Sequence, residues 1–317
     1  MSQQRVVVIG AGVVGLTSAI RLAEAGYDVA VVARDLSAET TSAMAGALWY
    51  PYLAEPRHEV LAWSASAFAA YAAELSDSDS GVHLVDGLEL RQSESEPWFV
   101  DALPEIGAFA HFTDLPESYA DGWQMRLPVI EPSIYLPRLT ARLVALGGTI
   151  TRMAVTALPD DALVVNCSGL AARSLATDPE VTPTRGQVVR LERTLGVDAW
   201  LLDHTEPSSP VYVIPRSRDV MVGGTVEAGS YDLHPDQDCA VALVERASRF
   251  VPALSTARVL GTYVGLRPTR PTVRLERELR PEGGHVIHNY GHGGAGWTIA
   301  WGCAEQVVRE VRSAVTP

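Results

Sequence analysis

The sequence predicts an α/β plus α+β fold: a discontinuous Rossmann-like dinucleotide-binding domain with an interleaved strand-rich substrate-binding domain. Three observations predict it. A β-branched run, Val6-Val7-Val8-Ile9, feeds at once into Gly10-Ala11-Gly12-Val13-Val14-Gly15 and a helical pattern. A second run, Asp161-Ala162-Leu163-Val164-Val165-Asn166, reads as a buried strand and ends in the turn Cys167-Ser168-Gly169. A third, His285 to Asn289, runs into a glycine loop, Tyr290 to Gly296. Rossmann-like pieces thus stand at the start, middle and end of the chain. They assign residues 1–48, 137–182 and 285–317 to the nucleotide domain, and 49–136 and 183–284 to the other.

In order along the chain, the first strand lacks alternation, as a central parallel strand buried on both faces should. Leu16, Ala19, Ile20 and Leu22 recur at helical spacing up to Gly26, a helix stop. Asp28 to Ala33 completes a strand-helix-strand unit. A helix is expected over Val60 to Leu75. Residues 76–135, rich in Pro, Ser, Asp and Trp, read as short strands and loops. Tyr135 to Leu146 reads as a helix ended by Gly147-Gly148, and Asp160-Asp161 as a turn before a strand. Strands follow at Gln187 to Leu191, Val211 to Ile214 and Val220 to Val226, with a helix near Asp236 to Phe250. Arg270, Arg274, Arg277 and Arg280, alternating with Glu276 and Glu278, read as a solvated salt-bridged face. Trp297 to Val315 closes the chain as a helix.

Composition narrows the chemistry. Of 317 residues 47% are hydrophobic and 20% charged, enough for a packed core and far from a disordered chain. A net charge of -13 opposes a nucleic-acid partner, which needs a basic face. The 25 basic residues are all arginine. A Schiff-base enzyme and a Walker-type loop both need a lysine and are excluded. Three cysteines, at 167, 239 and 303, make no zinc or disulfide spacing. His285, His288 and His292 fit no metal box, so no metal is expected. The apolar N-terminal stretch is broken by glycines and reads as no signal peptide. No apolar run reaches membrane-spanning length. With no peroxisomal tripeptide at the end, a cytoplasmic protein is expected.

The chemistry starts at the first loop. In Gly-x-Gly-x-x-Gly after a strand, Gly10 makes the turn, Gly12 lets backbone approach a pyrophosphate, and Gly15 lets helix and strand pack. At the end of the second strand the ribose-binding acid is displaced. Arg34 stands where it is expected and Asp35 follows. Either Asp35 reaches the ribose, or Arg34 contacts phosphate or ends the strand in solvent. A strand and glycine loop at the far end of the chain favour FAD over NAD. There the closing helix would aim its free amides and positive dipole end at the flavin's pyrimidine side. Cys303, on that helix, is expected to be a buried thiol rather than a flavin tether.

Taken together, several segments resemble the D-amino-acid oxidase family, in its order and over nearly the whole chain. They are Val6 to Leu16, Gly46-Ala47-Leu48-Trp49-Tyr50-Pro51-Tyr52, Val165 to Gly169, Arg185-Gly186-Gln187, Gly265-Leu266-Arg267-Pro268 and His288 to Gly296. The resemblance implies FAD-dependent oxidation of D-amino acids to imino acids. Water converts these to 2-oxo acids and ammonia, and O2 reoxidises the flavin to give H2O2. It implies that Arg267 grips the substrate carboxylate, Tyr212 assists, and the Gly294 carbonyl receives the amine. Tyr52 stands where D-aspartate oxidases carry a histidine. For non-covalently bound FAD it implies Gly10, Ala11, Gly12, Thr40, Thr41, Ser42, Gly46, Ala47, Leu48, Val155, Ser168, Gly293, Gly296 and Thr298, to which the loops and the strand end add Val13, Val14, Gly15, Arg34, Asp35 and Gly294 as cofactor-binding candidates.

Arginine suits that role, since its planar fork holds a carboxylate by two parallel bonds. With carboxylate and amine anchored, only one hand of amino acid turns its Cα hydrogen toward the ring, so alignment matters more than a base. Two departures from the family pattern stand out. Arg34 replaces the usual acid, and Asp203 to Pro210 is shorter than the vertebrate lid and lacks its tyrosine, which predicts faster product release. Leu48, Tyr50 and Leu202 would line an apolar pocket, and Gly224-Thr225-Val226 lacks the arginine of aspartate oxidases. Neutral substrates are therefore expected. A homodimer is expected, as are partners limited to a D-amino acid and O2. A glycine or sarcosine oxidase, a flavin dehydrogenase with another acceptor, and an idle nucleotide-binding protein are the alternatives.

Overall fold

The structure is a computed structural model that describes residues 4–315 apart from 95, 105, 106, 116, 117, 161 and 282. Asp161 and the last two residues, which entered the expectations above, lie outside the described residues. Strands β1 (Arg5–Ile9), β2 (Asp28–Ala33), β3 (Val82–Arg91), β4 (Ala110–His111), β5 (Asp121–Ile130), β6 (Thr149–Arg152) and β7 (Leu163–Asn166) fill the first half. Then come β8 (Thr182–Glu192), β9 (Trp200–Asp203), β10 (Val211–Pro215), β11 (Asp219–Gly223), β12 (Glu227–Ala228), β13 (Val259–Leu279) and β14 (His285–His292). The helices are α1 (Val13–Glu24), α2 (Arg57–Ala72), α3 (Pro132–Ala145), α4 (Ala172–Leu175), α5 (Gln237–Phe250) and α6 (Gly296–Val315). This is the expected mixed α/β architecture.

Among the described residues all fourteen strands join one sheet, in the order β4-β5-β3-β9-β10-β11-β8-β13-β14-β7-β1-β2-β6, with β12 attached to β8. Its Rossmann-like end is parallel: β1 pairs with β2 and β7, β2 with β6, and β7 with β14. The chain leaves β1 toward β2 on one side, while β7 lies on the other. The crevice at the C-terminal end of β1 is therefore a topological switch point, the place where open α/β sheets bind ligands. Helices α1, α3 and α6 pack together beside it. There the Thr17 hydroxyl of α1 donates to the Ala300 carbonyl of α6 at 3.2 Å.

The 21-residue β13 joins the two sheet regions. Its first half pairs antiparallel with β8, with Gly265 opposite Gly186 and Arg267 opposite Thr184. Its second half pairs with β14 after a register break between Thr269 and Arg274.

Four expectations change. Residues 76–135 hold two ten-residue strands, β3 and β5, paired from Val82↔Ile130 to Arg91↔Asp121, rather than only short ones. Gly87 breaks the apolar alternation of β3 because the Trp200 indole lies on it: a Cβ there would stand 2.0 Å from the ring. The last strand runs on to His292, where a loop from Tyr290 was expected. The strand from Asp219 stops at Gly223, short of Val226; beyond it the Gln187 amide of β8 donates to the Thr225 hydroxyl instead of to a backbone carbonyl. The arginine-rich face is a strand, and it is not uniformly solvated. Arg280 is buried, donating to the Asp160 carboxylate and the Pro159 carbonyl. Arg270 and the Tyr290 hydroxyl both bond buried Asp178, at 3.0 and 2.9 Å.

Candidate active site

A cavity of about 1180 Å3 opens at the end of β1 and runs along the sheet to β9 and β10. It exceeds the usual range for a single drug-sized ligand. Its first part is the glycine loop. Gly10 has φ +110°, and a Cβ there would lie 2.4 Å from the Cys167 carbonyl oxygen. A Cβ on Gly15 would lie 2.0 Å from the Gly10 carbonyl oxygen, so α1 can approach β1 this closely only with glycine. Gly12 caps α1 without a side chain, and the first turn carries no acid. Apart from the Val13 amide, the opening amides of α1 and its dipole are therefore left for an anion. Ala11, Val13 and Val14 complete this wall, and the Ser42 hydroxyl accepts from the Val13 amide at 3.1 Å.

Around it stand Thr40, Thr41, Ser42, Gly46, Ala47, Leu48, Val155 and Ser168, all lining the same cavity. The Thr41 hydroxyl donates to the Leu266 carbonyl at 3.2 Å, and Ser168 Oγ to Asn166 Oδ1 at 2.6 Å. Arg34 and Asp35 both reach the cavity edge, but they face each other. The Arg34 Nε donates to both Asp35 carboxylate oxygens at 3.0 Å, and this bond holds the Asp35 carboxyl below its usual range. At the far side, Gly293, Gly294 and Gly296 bring the β14–α6 turn and the start of α6 into the wall. Thr298 is not among the lining residues. It sits behind them, its hydroxyl donating to the Tyr50 carbonyl at 2.8 Å and accepting from the Tyr50 amide at 3.1 Å.

The antiparallel end of the cavity carries Arg267, Tyr212 and Tyr52. The Arg267 Nη1 is tied back to the Thr225 carbonyl at 3.1 Å and the Arg185 carbonyl at 3.4 Å. Burial raises the Tyr212 and Tyr52 hydroxyl pKa values, and the neighbouring Arg267 opposes this in both, so both are neutral donors. The edge of the Tyr52 ring covers Gly294, where a Cβ would stand 2.7 Å from its Cδ1. A Cβ at Gly224 would lie 2.7 Å from the Tyr212 ring, so a large cationic side chain has no room there in this arrangement.

Sequence reasoning missed His204, which also lines the cavity. Its ring stacks on Tyr52 with centroids 5.3 Å apart and planes at 17°, and stands 5.6 Å from Tyr50. The period-two pattern Leu202, His204 at the end of β9 could have found it. Behind it the Tyr50 hydroxyl donates to buried Glu89, whose pKa burial raises. Of the histidines near the C-terminal glycine loop, His288 contacts Glu278 and Asn166, and His292, which also lines the cavity, contacts Asn289. Cys303 is buried within α6. Among the described residues no helix is long and apolar enough to cross a membrane.

Burial pushes both His204 and His292 down to about 4, so neither is charged at neutral pH. The unfolded chain takes up these protons near pH 6.5, whereas the folded chain resists them until about pH 4. Stability is therefore fully present above pH 6.5 and is lost as pH falls toward 4, on the order of 3 kcal/mol for each histidine. Urea midpoints measured at pH 7, 5.5 and 4.5 should fall in that order, and His204→Phe should flatten the slope. A midpoint that rises on acidification would contradict the two buried neutral rings.

Comparison with known proteins agrees with this geometry. The profile of the family described as FAD dependent oxidoreductase matches residues 5–310. A D-amino-acid oxidase of Rubrobacter xylanophilus is 44% identical over 308 residues, covering 95% of this chain and 94% of that protein. The chain belongs to the D-amino-acid oxidase family of FAD-dependent oxidoreductases. A second member, the D-amino-acid oxidase of Streptomyces coelicolor, is 42% identical over 96% of this chain and 95% of its own length. Among solved structures, the glycine oxidase of Geobacillus kaustophilus shares the fold, with a TM-score of 0.81 at 18% identity, covering 99% of this chain and 96% of that one. The cofactor of the family is FAD, and the glycine cradle fits its pyrophosphate: a Cβ at Gly10 or Gly15 would collide with backbone, and the α1 amides stand ready for an anion.

Proposed function

We propose that this family member oxidises neutral D-amino acids to imino acids, which hydrolyse to 2-oxo acids and ammonia, with O2 reduced to H2O2. Bound FAD supplies the hydride acceptor and the reaction with O2. The glycine loop with Val13 and Val14 would hold the pyrophosphate, Asp35 with Arg34 would meet the ribose, and Thr40 to Leu48, Val155, Ser168 and Gly293 to Thr298 would surround the rest. We propose non-covalent attachment. Burial pushes the Cys167 thiol of the cavity up to about 12, which leaves it neutral, and Cys303 is enclosed in α6. The same reading keeps residues 1–48, 137–182 and 285–317 as the cofactor domain, and 49–136 with 183–284 as the substrate domain. It also includes a cytoplasmic homodimer.

The observation that carries the reading is Arg267 in the wall of the cavity that also holds the glycine cradle, with one guanidinium nitrogen already fixed by backbone carbonyls. Its remaining edge would take the carboxylate, Tyr212 would donate a further bond, and the Gly294 carbonyl would accept from the amine. Tyr52, stacked on His204, would close the side-chain end. Two anchors leave one choice of face at Cα, so only the D form presents hydrogen to the acceptor. The test is the visible spectrum of the purified protein without air, with D- and L-alanine added separately. Bleaching by the D form alone is expected. Equal bleaching by both, or none by either, would overturn the reading.

Selectivity follows from the same wall. Leu48, Tyr50 and Leu202 line it, His204 is neutral, and Gly224 leaves no room for a cation beside Tyr212. A second carboxylate would be buried without a partner, at about 3 kcal/mol. The kcat/KM for D-alanine, D-methionine or D-phenylalanine should therefore exceed that for D-aspartate by about a hundredfold. A substrate panel read by peroxide release checks this, and a preference for D-aspartate would refute it.

A further inference from the structure

The triplet Arg185-Gly186-Gln187 on β8 touches no expected ligand position through its side chains, yet it surrounds Arg267. Alternate residues of a strand face opposite sides. On one side, buried Arg185 donates to the carbonyls of Asp232 at 2.9 Å and His234 at 2.7 Å, and to the Glu227 carboxylate at 2.5 Å. Gln187 donates to the Asp236 carbonyl at 2.6 Å and accepts from the Asp236 amide at 2.8 Å. The Gln187 amide also donates to the Thr225 hydroxyl at 3.0 Å, and that hydroxyl donates to Glu227 at 2.9 Å. These bonds lash the segment from Thr225 to Asp236 onto β8.

On the other side Gly186 meets the guanidinium. A Cβ there would lie 2.3 Å from Arg267 Nη1 and 2.5 Å from both Cζ and Nη2. Its cross-strand partner, Gly265, is also glycine, but a Cβ there would meet Thr41 and Met44, so the room for the guanidinium is left by Gly186. The Thr225 carbonyl that accepts from Nη1 belongs to the lashed segment.

We propose that Arg185-Gly186-Gln187 is a positioning device for Arg267. Gly186 leaves the volume in which the guanidinium lies. Arg185 and Gln187 hold the segment whose Thr225 carbonyl takes up Nη1, which fixes the guanidinium edge left for the substrate carboxylate. The proposal rests on the reading of Arg267 as the carboxylate grip, and none of the three residues is a catalytic residue.

The test uses the FAD-loaded protein and two readouts: KM for D-alanine, and the Kd of benzoate, a flat monocarboxylate without an amine, from the change it makes in the visible spectrum. Gly186→Ala should raise both by at least about tenfold, because a misplacement near 1 Å weakens a positioned contact by one to two orders of magnitude. In an Arg267→Lys background the same change should shift either value less than about twofold, since the compact ammonium leaves the volume beside Gly186. Equal effects in both backgrounds would mean general sheet strain and would overturn the proposal, as would wild-type values in Gly186→Ala. Should Gly186→Ala not fold, Glu227→Gln, which weakens the hold on Arg185, decides: about a threefold rise in benzoate Kd supports the device, and no rise overturns it. Wild-type protein that D-alanine fails to bleach would instead overturn the underlying reading of function.

Discussion

Arg267→Leu is expected to lower kcat/KM for D-alanine about a thousandfold while the protein keeps its yellow colour. Removing one member of a desolvated, hydrogen-bonded charge pair typically costs about 4 kcal/mol, because the partner is left buried and unpaired. Here the partner is the substrate carboxylate, so the loss falls on binding and alignment together and not on the fold. Arg267 sits on β13, more than two hundred residues from the glycine loop in sequence, and its Nη1 bonds lead to the Thr225 and Arg185 carbonyls and not to the cradle. The cofactor's visible spectrum should therefore be unaltered. Arg267→Lys should recover part of the loss, since an ammonium keeps the charge but not the fork. Steady-state peroxide release and anaerobic bleaching at matched D-alanine concentrations separate the two effects. Near-wild-type turnover in Arg267→Leu would leave the chain without the carboxylate grip on which its stereochemistry depends.

The parts of the site that sequence shows are those built from contiguous residues. β1, the glycine loop and α1 form one uninterrupted pattern, and the parallel strand at Leu163 has no polar alternation to blur it. Assembly across the sheet is harder to read. β13 carries Gly, Pro and Arg where an ordinary strand carries β-branched residues, yet it runs unbroken because each irregularity answers a neighbour. Gly265 faces Gly186, and the shifted register after Thr269 lets Arg270 pack against Gly291. β3 was obscured in the same way by Gly87, whose reason is Trp200, far along the chain. His204 had only a two-residue period to announce it. Arg185 stood out only as part of a family-like triplet, and its partners come into view only where the fold wraps the Thr225 to Asp236 segment over it. Local periodicity records which face of an element is buried. It does not record which distant side chain requires a residue to be small.

That distinction yields the second large effect, a contrast between two glycines of the same loop. Gly15→Val should leave the protein colourless and reduce its stability by about 3 kcal/mol or more, the upper range for forcing extra atoms into a packed interior. The atom a side chain would strike is the Gly10 carbonyl oxygen, 2.0 Å from the first added carbon, with the carbonyl carbon at 2.8 Å. The Gly10 backbone follows β1 directly and is held by its amide bond to the Val32 carbonyl at 2.9 Å, so α1 must move away from β1, and α6 and α3 pack on α1. Gly12→Ala should behave differently. Its Cβ would crowd only the Ser42 hydroxyl, at 3.1 Å, with Thr40 at an ordinary 3.9 Å, and a small shift of the Ser42 side chain relieves it. The apoprotein should then unfold near the wild-type urea midpoint, while the Kd for FAD rises at least about tenfold, because the added methyl stands where the pyrophosphate must approach the backbone. Urea melts of the two apoproteins, with FAD titrations followed by flavin fluorescence, distinguish a glycine needed for packing from one needed for the ligand. Equal loss of stability in both variants would show that the loop's glycines serve the fold alone.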